Sequence, residues 1–173
     1  MLSIRTYPHA ALPPRYAARM QALASAEFDR FPIVRETLWA TPDWSFVGLD
    51  HDALACFCNV VQRAVHVDGR AVRVAGLNNL VTAPAFKRRG LASELLGEVQ
   101  PRWFAELGAE CGLLLCADAL VPFYSRLGWR PVHAQVRFDQ RGDSRVWAAA
   151  CMLLGAGGMD IAAEAIDLRG LPW

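Results

Sequence analysis

The sequence predicts one α/β domain: a single mixed, mostly antiparallel, twisted sheet of about six to eight strands, with helices on both faces. Three observations carry that prediction. Two long apolar runs in the middle of the chain meet at Asp68-Gly69, a tight-turn signal. After Pro84 the apolar period changes from two to about 3.6. No repeat, low-complexity stretch or linker divides the 173 residues, so residues 1–173 read as one unit.

In chain order, residues 1–7 read as a strand stopped by Pro8. Pro13-Pro14 opens a helix over residues 15–28, where Ala18, Ala22 and Leu23 recur at helical spacing. A short helix follows over residues 33–39, ended by Thr41-Pro42, because the residue before a proline avoids helical backbone. Residues 44–50 and 53–67 are strands, and residues 70–82 return antiparallel to the second. Asn78-Asn79 interrupts that return run, which predicts a bulge or a site. Leu91, Leu95, Leu96 and Val99 form one face of a helix that starts near Arg89-Gly90 and finishes near Leu107-Gly108. Pro101 inside it predicts a kink or a second helix start, since its ring crowds the carbonyl of Gly97. Residues 112–117 are a short continuous apolar run, as in a buried parallel strand. A helix over residues 121–127 ends at Gly128, and strands over residues 131–139 and 146–154 close the pattern across a polar turn. The last of these, with Trp147, Met152 and Leu153, offers an apolar edge for a homodimer.

Composition excludes several function classes. Eighteen Lys+Arg against seventeen Asp+Glu leave a net charge of +1, so no basic field is present to hold duplex nucleic acid. No apolar run reaches the roughly 18–20 residues that span a bilayer. The first residues lack the unbroken apolar stretch of a signal peptide, and the expected location is the cytoplasm. Five cysteines, Cys56, Cys58, Cys111, Cys116 and Cys151, lie mostly in apolar runs, which predicts buried, reduced thiols. Cys56 and Cys58 share a strand face, but no C-x-x-C or H-x-x-x-H accompanies them, and no metal is expected.

The stretch that carries chemistry lies between a strand end and a helix start. Lys87, Arg88 and Arg89 precede Gly90, Leu91, Ala92 and Ser93. A helix N-terminus presents unpaired N–H groups and partial positive charge. Gly90 removes a Cβ where an anion would approach, and Ala92 is small, so the arrangement suits a pyrophosphate. Neither the P-loop pattern nor G-x-G-x-x-G is present.

Lys87-Arg88-Arg89-Gly90-Leu91-Ala92 resembles the phosphate loop of the GCN5-related N-acetyltransferases (GNAT), Q/R-x-x-G-x-G/A, with Lys in the first position. Downstream, Phe123-Tyr124-Ser125-Arg126-Leu127-Gly128-Trp129 resembles the family's [LF]-Y-x-x-x-G-[FW] block. The resemblance implies acetyl-coenzyme A as cosubstrate, no metal, and Tyr124 as the catalytic residue that protonates the leaving thiolate. It implies a strand around Leu80, Val81 and Thr82 that splays from its neighbour, with the pantetheine amides pairing to backbone of Leu80 and Thr82. A backbone N–H near Val81 would polarise the carbonyl.

Within the superfamily the chain is most similar to the aminoglycoside 2'-N-acetyltransferases, on the Val67-Asp68-Gly69-Arg70-Ala71-Val72-Arg73 hairpin, the run from Gly128 to His133, and a terminal Trp173. That likeness implies direct acetyl transfer to a primary amine of a small molecule. Asn78, Asn79, Asp118 and Trp173 are the expected acceptor-binding residues. Asn78 stands where the group carries an acid, so the base is open among Asp118, His133, Glu36 and a water chain from Asn78. The reading from another class is a non-catalytic acyl-coenzyme A sensor.

Overall fold

The structure is a computed structural model and describes residues 1–158 and 161–173. Among these residues the strands are β1 (Ser3–Pro8), β2 (Trp44–Asp50), β3 (Ala53–Val67), β4 (Arg70–Thr82), β5 (Cys111–Cys116), β6 (Arg130–Val132), β7 (Gln135–Gln140), β8 (Asp143–Val146), β9 (Ala150–Gly155) and β10 (Ala165–Asp167). The helices are α1 (Pro14–Phe28), α2 (Pro32–Glu36), α3 (Leu91–Ala105) and α4 (Val121–Ser125).

The β3–β4 hairpin is the spine of one mixed sheet. Asp68 and Gly69 turn it with φ of 49° and 81°, the left-handed pair that matches strand twist. The sheet has ten strands, eight of them on one path, β6-β9-β5-β4-β3-β10-β7-β8, with β1 and β2 off it. Because β3 is long, its other edge forks: its first half pairs β2, which carries β1, and its end pairs β10. β4 runs parallel to β5, while β9 lies antiparallel to both β5 and β6.

Helices cover both faces. On one face α3 and α4 set Leu95, Leu96, Val99, Trp103 and Tyr124 against Phe46, Cys58, Ala75, Leu77 and Met152. On the other, α1 sets Tyr16, Met20 and Leu23 on Val47, Leu49, Phe57 and Val81 at one end. The C-terminal tail sets Leu168 and Trp173 on Val61, Val65, Val74 and Leu113 at the other end.

Four sequence expectations change. The helix expected over residues 33–39 stops at Glu36. The chain leaves the helix at Thr37, and buried Gln140 binds both the N–H and the C=O of Leu38, at 2.9 and 2.8 Å. No second helix starts at Pro101; α3 runs through it, since only the bond to the Gly97 carbonyl is lost and Leu95, Val99 and Trp103 anchor both sides. The strand expected over residues 131–139 divides into β6 and β7, and that over 146–154 into β8 and β9, because the chain changes partners at His133-Ala134 and at residues 147–149. Local alternation cannot register a change of partner. Met152 and Leu153 are buried and β9 is paired on both edges, so the edge expected for a homodimer is closed. Among the described residues no helix is long and apolar enough to cross a membrane.

Candidate active site

β4 and β5 pair only from Val74 to Leu77 against Cys111 to Leu114. Beyond that point both strands continue unpaired with each other. A bulge accompanies the divergence: Phe57 faces Val81 and Asn59 faces Asn78, so β4 carries one extra residue there. Asn79 takes φ of 48° to accommodate it. The sequence break at Asn78-Asn79 is therefore this bulge. The Ala83 N–H donates to the Ala55 carbonyl at 2.8 Å. Alternation then directs the Val81 N–H to β3 and leaves those of Leu80 and Thr82 on the open edge. The N–H groups near Val81 that stay free for a ligand are thus those of its neighbours, not that of Val81 itself.

The loop after β4 is shaped by two residues in the left-handed region. Arg88 and Gly90 both have positive φ, 63° and 77°, which folds the backbone N–H groups inward at the start of α3. The N–H groups of Leu91, Ala92 and Ser93 precede the first intrahelical bond, which Glu94 donates to Gly90 at 3.0 Å. A Cβ built on Gly90 meets nothing within 4 Å, so the space above it is open for a ligand. Lys87 and Arg89 are paired with Glu27 and Asp50, each at 2.8 Å, and hold the loop to α1 and β2. Arg88 has no ion-pair partner among the described residues. A cavity of about 300 Å³ adjoins the loop, bordered by Glu27, Val81, Thr82 and Lys87.

Tyr124 sits on α4, just after β5. Its ring is buried against Phe123 and Trp129, with ring centroids 4.9 and 6.2 Å away. Gly128, with φ of 90°, lets the Trp129 N–H return to the Tyr124 carbonyl at 3.2 Å. Trp129 is fixed in turn by Gln100, whose Oε1 accepts its indole N–H at 2.7 Å. The Tyr124 hydroxyl has no hydrogen-bond partner among the described residues. Burial, then the nearby Cys116 and Cys58 thiols, push its pKa well above the ordinary tyrosine range, so it stays a neutral O–H donor.

On the opposite face a polar row crosses the sheet between the two apolar clusters. Ser45, Asn59 and Asn78 are direct cross-strand neighbours on β2, β3 and β4. All three are buried. Ser45 Oγ donates to Asn59 Oδ1 at 2.8 Å and lies 2.7 Å from His9 Nδ1. A serine has one proton to give, so His9 Nδ1–H donates to Ser45 Oγ and neutral His9 keeps its lone pair on Nε2. Burial lowers the His9 pKa, against a smaller opposing pull from Asp43. Asn78 Oδ1 is buried and unpartnered.

Of the expected acceptor residues, Asn78 and Trp173 lie close on this face. The Trp173 indole covers Gly76, two residues along β4 from Asn78, and donates its N–H to the Leu113 carbonyl at 3.3 Å. Asp118 is exposed just beyond β5. His133 and Glu36 are exposed, far along the chain from β4. Sequence reasoning missed His9, Ser45 and Asn59, which show no spacing signal because no two of them share a strand.

A family profile described as "Acetyltransferase (GNAT) domain" matches residues 18–132, more than half of the chain. The chain belongs to the GNAT acetyltransferase family. It is thereby an enzyme of the N-acetyltransferase class. No curated protein sequence matches it. Among solved structures, this GNAT chain is similar to Escherichia coli ElaA, at 14% identity and a TM-score of 0.64, over 89% of this chain and 99% of that one. It is also similar to the Escherichia coli GNAT N-acetyltransferase YhbS in complex with CoA, at 18% identity and 0.61, over 96% and 89%. A Brucella melitensis GNAT acetyltransferase in complex with acetyl-CoA matches at 16% identity and 0.61, over 96% and 94%. At such identities these likenesses establish the fold.

Proposed function

We propose that the chain transfers the acetyl group of acetyl-CoA directly to a primary amine of a small molecule. One observation carries the reading: β4 and β5 stop pairing beyond Leu77 and Leu114, and the open space at Gly90 and the unpartnered Tyr124 hydroxyl support it. Backbone N–H groups of Gly90, Leu91, Ala92 and Ser93, with Lys87, Arg88 and Arg89 around them, hold the pyrophosphate. Leu80 and Thr82 offer free backbone to the pantetheine amides, beside Val81. Acceptor binding falls to Asn78, Asn79, Asp118 and Trp173.

The amine nitrogen attacks the thioester carbonyl carbon, forming the C–N bond in a tetrahedral intermediate from which the C–S bond then breaks. The proton lost by nitrogen ends on the coenzyme A sulfur. Tyr124, with its raised pKa, serves as hydrogen-bond donor to the sulfur as charge builds there. Outright proton loss from such a group to a thiolate of ordinary pKa near 8.5 is uphill, so the amine proton must follow in the same event.

An aminoglycoside is the finer reading of the acceptor, supported by the Val67–Arg73 hairpin, the Gly128–His133 run and Trp173 beside Asn78. The test is mass detection of products from purified protein, acetyl-CoA and pooled aminoglycosides, polyamines, amino acids and short peptides. One acetylated product confirms transfer and gives the acceptor class. Tight acetyl-CoA binding with no product would favour the sensor reading.

A further inference from the structure

The polar row is costly where it stands. Apolar residues at Ser45, Asn59 and Asn78 would join the cluster beneath α1 to the cluster beneath the tail. Buried polar groups normally find partners, and His9, Ser45 and Asn59 do so in sequence. Asn78 does not: it is only 8% exposed, and its Oδ1 has no donor among the described residues. It stands where β4 parts from β5, beside the acetyl-CoA site proposed above.

We infer that Asn78 Oδ1 accepts a hydrogen bond from the N–H of the attacking amine, and that this neutral subsite selects weakly basic amines, such as the α-amino group of an amino-acid derivative, over alkylammonium ions. The inference rests on the acetyl-transfer reading and names its substrate class. A neutral amine satisfies Asn78 with one N–H and keeps its lone pair for the carbonyl carbon. The C–N bond forms, the C–S bond breaks, and the second proton ends on sulfur. An ammonium has no lone pair, and it would bring an uncompensated charge against buried amides.

The titratable groups in contact with the row are engaged away from Asn78, and Asp118, Glu36 and His133 lie exposed on other elements. His9 lies at the far end, beyond Ser45 and Asn59. Asp43 accepts the Gln62 N–H at 2.7 Å, and Arg63 donates to the carbonyls of Leu168 and Leu171 at 3.1 and 2.8 Å. Glu27 and Asp50 are paired with the phosphate-loop cations. The amine must therefore arrive neutral. At pH 7 about one α-amino group in ten is neutral, against about one lysine-type amine in 2,500.

The test is a pH series of kcat/KM at saturating acetyl-CoA, with an α-amino amide and an n-alkylamine of the same length. The expected midpoints follow each amine, near 8 for the first and above 10 for the second (ordinary amine values). A midpoint shared by both amines would overturn the inference, because it would show a base on the protein taking the proton. Asn78→Leu is expected to raise the amine KM about tenfold, with acetyl-CoA binding held within about twofold as proof of folding. An unchanged amine KM in that folded variant would remove Asn78 from the site. If the variant does not fold, the wild-type series decides alone. If acetyl-CoA binds but no amine is acetylated, the acetyl-transfer reading fails and this inference fails with it.

Discussion

Gly76→Ala tests the contact that seats Trp173 beside Asn78. A Cβ at Gly76 would overlap Cε2, Nε1 and Cζ2 of the Trp173 indole. The ring cannot yield as a flexible chain end would. It is 4% exposed, its N–H is bonded to Leu113, and the Arg63 guanidinium stacks 5.4 Å from it. Either the core strains, at about 1–3 kcal/mol, or the tail undocks, at about the 3–5 kcal/mol of losing a buried tryptophan. Gly76→Ala is therefore expected to cost about 3 kcal/mol, with the cost of Trp173→Ala as its ceiling. The same substitution in a Trp173→Ala background meets no indole. There it should be neutral or stabilise by about 0.5 kcal/mol, because glycine weakens a strand relative to alanine. Urea unfolding of the four proteins gives the coupling energy, expected near 3 kcal/mol. Additive effects in that cycle would refute the reasoning, since they would mean that Trp173 does not lie on Gly76 in solution.

Other outcomes follow from the same geometry. Gly90→Ala should cost about 1 kcal/mol of stability through its positive φ, yet weaken acetyl-CoA binding about tenfold or more by calorimetry, because the methyl projects into the open space there. Tyr124→Phe should lower kcat about a hundredfold while the acetyl-CoA dissociation constant stays level. Its stability should stay within about 0.5 kcal/mol of wild type, since the hydroxyl bonds nothing in the protein. The lowered pKa of His9 means that the unfolded chain binds its proton more readily than the folded one. Stability should therefore be full above the ordinary histidine value of 6.5 and fall as pH drops from there toward the lower folded value. His9→Gln, measured by denaturation across that window, should show a shallower fall.

The glycine loop before α3 and the tyrosine turn after β5 were legible in the sequence because their signals are local. A glycine before an apolar-periodic helix gives the Gly90 turn, and Tyr124 to Trp129 form one compact turn around Gly128. The limits of β2, β3 and β4 were equally readable, since alternation and the Asp68-Gly69 turn lie along the chain. Asn78-Asn79 announced a bulge, because two amides break an apolar run wherever the strand goes.

The polar row on the opposite face was not legible in the same way. His9 and Ser45 are 36 residues apart, and Ser45 and Asn59 are 14 apart. No spacing rule connects residues whose only relation is register across a sheet. The same cause hid the seat of Trp173 on Gly76, the split of residues 131–139 between two partners, and the docking of β10 beside β3 and β7. The sequence by itself determined most helix and strand identities, the glycine turn that opens α3 and the tyrosine turn after β5, because short-range sterics and hydrogen bonding set these. Tertiary structure alone decided which polar groups were buried together and which oxygen was left without a donor, because burial and pairing depend on neighbours that the chain supplies from afar.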